Sequence, residues 1–210
     1  MLPRKLAVIA GVGYIIIFFA AIFANFFALE AIKTAPLETV QNHGFMARAG
    51  IMAFMITVVF DVVVAWALNA LYADHALTKL STYFRMMHAA IMGVAIFGLV
   101  MALNSVTAEE ILQHVDTFNI IWLIGLFFFG AHLILLGKII KKPRIIAAFL
   151  IVAGIAYMLD TTAHFMLEDY EQYADVFLAI VAIPSIVGEM ALAVWLLIKG
   201  GKTVSNIAIN

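Results

Sequence analysis

One feature recurs six times along the chain: a run of about twenty residues almost free of charge, at about 7–28, 48–72, 80–103, 118–138, 145–166 and 176–198. Twenty helical residues rise about 30 Å, the thickness of a bilayer's hydrocarbon core. A water-soluble surface cannot be assembled from such material. Hydrophobic residues make up 66% of the 210, and charged residues 12%, against about 25% in soluble domains. The expected fold class is therefore all-α, a polytopic membrane helical bundle of six transmembrane helices. Residues 1–210 form a single transmembrane domain with the lipid bilayer as its first partner.

The breaks between runs have the chemistry of chain reversals. "KTAPLETVQNHG" carries Pro36 and Gly44, "NSVTAEEILQHVDT" is polar with paired acids, and "LEDYEQYAD" is a short acidic link. In "GKIIKKPR", Pro143 stands at the expected start of a helix, where its missing N–H costs little. The first run is too long for the apolar region of a cleaved leader and lacks a small-x-small site, so it reads as the first membrane helix.

Orientation follows the cations. With the N-terminus cytoplasmic, Arg4, Lys5, Lys79, Lys138, Lys141, Lys142, Arg144, Lys199 and Lys202 lie inside, and Lys33 and Arg48 outside. Both termini are then cytoplasmic, and the expected location is a bacterial plasma (inner) membrane. A net charge of −1 gives no footprint for nucleic acid. With no cysteine, thiolate metal sites and thiol nucleophiles are ruled out. Gly93, Gly98, Gly125, Gly130 and Gly154 are available for close helix approach. Trp122 reads as an interfacial anchor, and "FFFG" at 127–130 as lipid-facing bulk. His43, His75 and His114 fall in loops.

Charges inside the runs carry the functional question, because an ion at mid-bilayer costs at least about 2.5 kcal/mol to insert. Counted from the cytoplasmic ends of their helices, Asp61, Arg85, His88, His132 and Glu189 lie roughly 9 to 17 Å deep. Four helices thus place ionisable groups in one slab of the inner half. Arg85 and His88, three apart, share a face. Asp160 and His164 share a face in the outer half and form a second candidate site.

An ion pair needs one acid and one base, and the slab holds two acids, one arginine and two histidines. That surplus favours a polar pocket binding or transporting a small ligand or protons over structural glue. A metal-dependent membrane enzyme acting on a lipid-soluble substrate is the alternative, with zinc or non-haem iron on His88, His132 and Glu189. Haem between His88 and His132 ranks below it, because Arg85 and two carboxylates crowd the slot. A non-catalytic accessory subunit is a third reading. "DVVVAW" and "EMALAVW" resemble each other with the spacing to Trp shifted by one, and Pro184 precedes Glu189 in the sixth run. A six-helix transporter would be expected to act as a homo-oligomer.

Asp61, "FR" at Phe84-Arg85, "GAHLILLG", "YMLD" and "GEMALAVWLLIKG" together resemble an uncharacterised family of small bacterial integral membrane proteins, named as a domain of unknown function. The resemblance implies a six-helix plasma-membrane protein and supplies no activity.

Overall fold

The computed structural model describes residues 2–42 and 44–202. It contains six membrane-length apolar helices: α1 (Pro3–Thr34), α2 (Gly44–Leu71), α3 (Thr78–Ala102), α4 (Ala108–Ile139), α5 (Arg144–Met166) and α6 (Ala174–Ile198). There is no strand among the described residues. The chain is a multi-pass membrane protein, and its outward faces carry the side chains expected of one. Phe19, Phe97 and Ile183 are each 65% exposed, which suits lipid and not water.

Two helices are longer than their apolar runs. α1 continues through a π-helical turn at Phe23–Leu29 and ends at Ala35, whose φ of −139° and ψ of 72° leave the helical region ahead of Pro36. α4 begins at Ala108, ten residues before the apolar run opens at 118. The reason is local: the Thr107 hydroxyl accepts a hydrogen bond from the Glu110 N–H at 3.2 Å, and the Glu110 carboxylate accepts one from the Val106 N–H at 3.2 Å. This is an N-cap with a return bond to the residue before it, a variant of the capping box, and it starts a helix irrespective of hydropathy. The added turns bury Ile111 and Val115 against the bundle and turn Glu109 and Asp116 outward. His114 therefore lies on a helix and not in a loop. His75 sits in the α2–α3 turn, its Nδ1 accepting from the Leu77 N–H at 3.2 Å, and His43 lies outside the described residues. Thr107→Ala is expected to destabilise the fold by about 1 kcal/mol, seen as a lower unfolding midpoint, with hydrogen exchange rising first at 108–111.

Each helix packs against its chain neighbours, and α1 closes the ring on α6. Arg4 fastens that closure. Its guanidinium donates to the carbonyls of Leu196 at 2.9 Å, Gly200 at 3.0 Å and Leu197, a cation on the carbonyl end of a helix. Farther along, the two helices part: the Phe23–Leu29 turn packs on α2 and makes no substantial contact with α6.

The buried apolar side chains form two clusters. One, around Tyr14, Val64, Leu133, Leu150 and Leu192, lies toward the termini, and the other gathers around Phe54, Leu99, Ile111 and Phe118. The polar site lies between them.

Candidate functional site

Arg85 organises the centre of the bundle. Its side chain is fully buried, so every donor it carries needs a partner inside the protein. One terminal nitrogen donates to Asp61 Oδ1 at 2.6 Å. The other donates to the Tyr14 hydroxyl at 2.8 Å and faces His132 Nε2 at 3.3 Å. Nε has no partner. The guanidinium carbon stands 4.8 Å from the Tyr14 ring centroid and 5.3 Å from that of Phe129, both within cation–π range.

The two histidines are fixed by their neighbours. A guanidinium can only donate, so His132 Nε2 accepts and its ring proton resides on Nδ1. That Nδ1 donates to the Ser81 carbonyl at 3.0 Å, with the Ser81 hydroxyl 2.9 Å away. His88 Nδ1 donates to the Gly125 carbonyl at 3.0 Å. Its Nε2 is 3.6 Å from Asp61 Oδ2, beyond hydrogen-bond length. Phe129 ties the group together, its ring centroid 4.7 Å from His88, 5.8 Å from His132 and 5.7 Å from Tyr157.

Beside this network lies a cavity of about 180 Å³ to which all six helices contribute. Its polar wall comprises Tyr14 of α1, Thr57 and Asp61 of α2, His88 of α3, Trp122 of α4, Tyr157 of α5, and Ser185 and Glu189 of α6. Glu189 makes no hydrogen bond and no ion pair among the described residues. Ile186 lines the cavity yet is 50% exposed on the outer surface. The cavity thus reaches the outside of the bundle where α1 and α6 part.

The expected slab divides in two. Asp61, His88 and Glu189 face the cavity, whereas Arg85 stands behind Asp61 and Tyr14. His132 points elsewhere, into a small gap with Ser81, Thr82 and Tyr72 near the α2–α3 turn. Tyr72 lies in that turn, and burial pushes its hydroxyl pKa up to about 12. Asp160 and His164 form a separate arrangement at the far end of α5. Asp160 Oδ1 accepts from the Tyr170 hydroxyl at 2.6 Å, and the His164 ring lies 4.6 Å from the Tyr170 ring. Burial first, and then the Asp160 carboxylate, raise the Tyr170 pKa. This is a clasp between the end of α5 and the link to α6.

The zinc, iron and haem expectations are overturned. No group of three or more His, Asp or Glu among the described residues is placed to hold a metal ion. His132 is committed to Ser81 and Arg85, and the guanidinium fills the position a cationic metal would need. The same guanidinium rules out paired axial histidines for haem, whose macrocycle also far exceeds the cavity.

Three side chains escaped the sequence reading. Tyr14, in "GVGYIII", carries a hydroxyl in an apolar run, and that hydroxyl had to find a buried partner. Phe129, read as bulk, supports Arg85. Trp122, read as an interfacial anchor, lines the cavity and packs on Phe54 at 5.0 Å and Phe118 at 5.3 Å.

A family model described as Domain of unknown function (DUF4386) matches residues 9–200. The chain is similar to an uncharacterized protein of Archaeoglobus fulgidus, 28% identical over 158 residues that cover 72% of this chain and 84% of that one. An archaeal relative takes the similarity beyond bacteria. No solved structure matches.

Proposed function

Because the chain belongs to that family, whose description names no activity, we propose its function from its own cavity: it binds a small polar ligand within the membrane, at Asp61, His88 and Glu189. The observation that carries this reading is a 180 Å³ space shared by six helices and faced by a carboxyl group, Glu189, that no side chain satisfies. Structural glue would pair its charges, as Arg85 and Asp61 are paired. A cavity kept open around an unsatisfied acid calls for an occupant. Protons would use the same three side chains, but a bare proton needs neither the volume nor the aromatic walls. The distribution of Lys and Arg, dense at the end that holds both termini, supports cytoplasmic termini and, with them, a network nearer the inner surface. The gap between α1 and α6 supports entry from the side.

The test is a thermal-stability screen of the purified protein against small amines, amino acids, carboxylic acids and sugars. A compound present at a hundred times its Kd should stabilise the fold by about 2.7 kcal/mol. Ala21→Phe, which fills the cavity wall on α1 without touching a charge, should abolish that gain. A screen in which no compound stabilises the protein, or in which Ala21→Phe responds like the parent, defeats the proposal.

A further inference from the structure

We propose that the occupant of this cavity is a small organic ammonium ion; the inference rests on the binding reading above and assigns its ligand class. Three independent features of the lining select a monocation.

The first is the balance of fixed charge. Arg85 and Asp61 form a direct pair, and together contribute no net charge. His88, the other side chain on the lining that can carry positive charge, stands beside Asp61 at 3.6 Å, so Glu189 is left as the carboxyl group with no ion-pair partner among the described residues.

The second is a set of acceptors facing inward from α2 and α6. The Thr57 hydroxyl donates to the Phe54 carbonyl at 2.7 Å, and the Ser185 hydroxyl to the Val181 carbonyl at 2.7 Å. His88 Nδ1 donates to Gly125. The two hydroxyl protons are spent on backbone, so Thr57 and Ser185 offer lone pairs inward, while His88 Nε2 is turned to Asp61 Oδ2 at 3.6 Å. An ammonium group finds these acceptors beside Glu189, and the donors that remain on the lining are the Tyr14 and Tyr157 hydroxyls and the Trp122 indole N–H.

The third is the aromatic wall. Tyr14, Phe18, Trp122, Phe129 and Tyr157 all line the space. Two of these rings already hold a cation, since the Arg85 guanidinium lies 4.8 Å from Tyr14 and 5.3 Å from Phe129. Aromatic faces beside an acid are the recognised means of binding ammonium groups in a dry site. An apolar cavity of about 150 Å³ takes benzene, so 180 Å³ accommodates an ion of about five to seven non-hydrogen atoms, the range from tetramethylammonium to choline.

Such a group could arrive free in solution or as the headgroup of a lipid entering between α1 and α6. The experiment separates these sources. The full-length protein, in a maltoside detergent that carries no ammonium, is titrated calorimetrically with tetramethylammonium and choline. Parallel titrations use choline's uncharged isostere, with carbon in place of nitrogen, and a short-chain phosphocholine lipid. Saturable binding of the free cations at least about tenfold tighter than the isostere is expected. Glu189→Gln should weaken it by about tenfold or more while the unfolding midpoint holds, and Trp122→Leu should weaken it as much but with a lower midpoint, because Trp122 also packs on Phe54 and Phe118. Tighter binding of the phosphocholine lipid than of choline, with the same dependence on Glu189, supports the proposal with a lipid as source. An isostere that binds as well as choline overturns the ammonium assignment and leaves the cavity a binding site. If none of the probes binds while a compound of another class stabilises the protein, the ammonium assignment alone fails. If nothing binds in either experiment, both readings fall.

Discussion

Arg85→Met is expected to cost about 3–5 kcal/mol and to leave little folded protein, the largest single-residue effect in the molecule. The substitution keeps most of the side-chain volume and removes the charge. What remains is Asp61, 4% exposed, which loses its 2.6 Å partner and keeps only the looser contact of its other oxygen with His88 Nε2 at 3.6 Å. Breaking a buried pair from one side leaves an uncompensated ion in a low-dielectric interior, and that penalty is the source of the figure. Tyr14 and His132 also lose the donor they face. The paired change Arg85→Met, Asp61→Asn removes both ions, and most of the lost stability should return. Unfolding midpoints of the four proteins in one detergent measure the coupling. If the double variant is no better than Arg85→Met alone, the ion pair is not the reason Arg85 is needed.

Arg85 also shows what could be read from the sequence and what could not. A guanidinium in an apolar run must find a carboxylate, and Asp61 and Glu189 were the two on offer in the same slab, but counting residues could not choose between them. Depth along a helix is set by counting residues from a polar end. Rotation about the helix axis is not, when the run is apolar on every side and no polar stripe marks the inner face. His132 illustrates the failure. It lies at a depth like that of Arg85, yet its ring turns toward Ser81 on α3 and away from the cavity. The metal reading needed His88, His132 and Glu189 to converge, and one rotation was enough to defeat it. Aromatic residues were hidden for a related reason. In a chain with 17 Phe, nothing distinguishes Phe129, which supports Arg85, from Phe97, which faces outward. The early start of α4 was recorded in the sequence, as Thr107 three residues ahead of Glu110, but hydropathy gave that signal no weight.

Gly154→Ala is expected to separate α4 from α5 and to destabilise the protein by about 3 kcal/mol, the upper end for overpacking. A methyl group at Gly154 would strike the Gly130 carbonyl oxygen and lie 2.9 Å from the Ile134 backbone nitrogen. A methyl group at Gly130 would lie 2.5 Å from the Gly154 carbonyl oxygen. The obstacles are backbone atoms of a packed helix, so no side-chain rotation relieves them and the helices must move apart. Without a hydrophobic driving force between helices in lipid, such close packing is a large share of what holds them together. The strain also reaches the site. Phe129 precedes Gly130 and Tyr157 follows Gly154 by three residues, and their rings meet at 5.7 Å on the cavity wall. Gly93→Ala provides the control, because no atom of the described residues lies within 4 Å of the added carbon beyond the helix's own turn. There the better helix propensity of alanine should leave stability unchanged or raise it by up to about 1 kcal/mol. Unfolding midpoints and ligand-induced stabilisation of the two variants, measured side by side, check both halves. Equal midpoints for Gly154→Ala and Gly93→Ala would mean that the α4–α5 approach is not a source of stability.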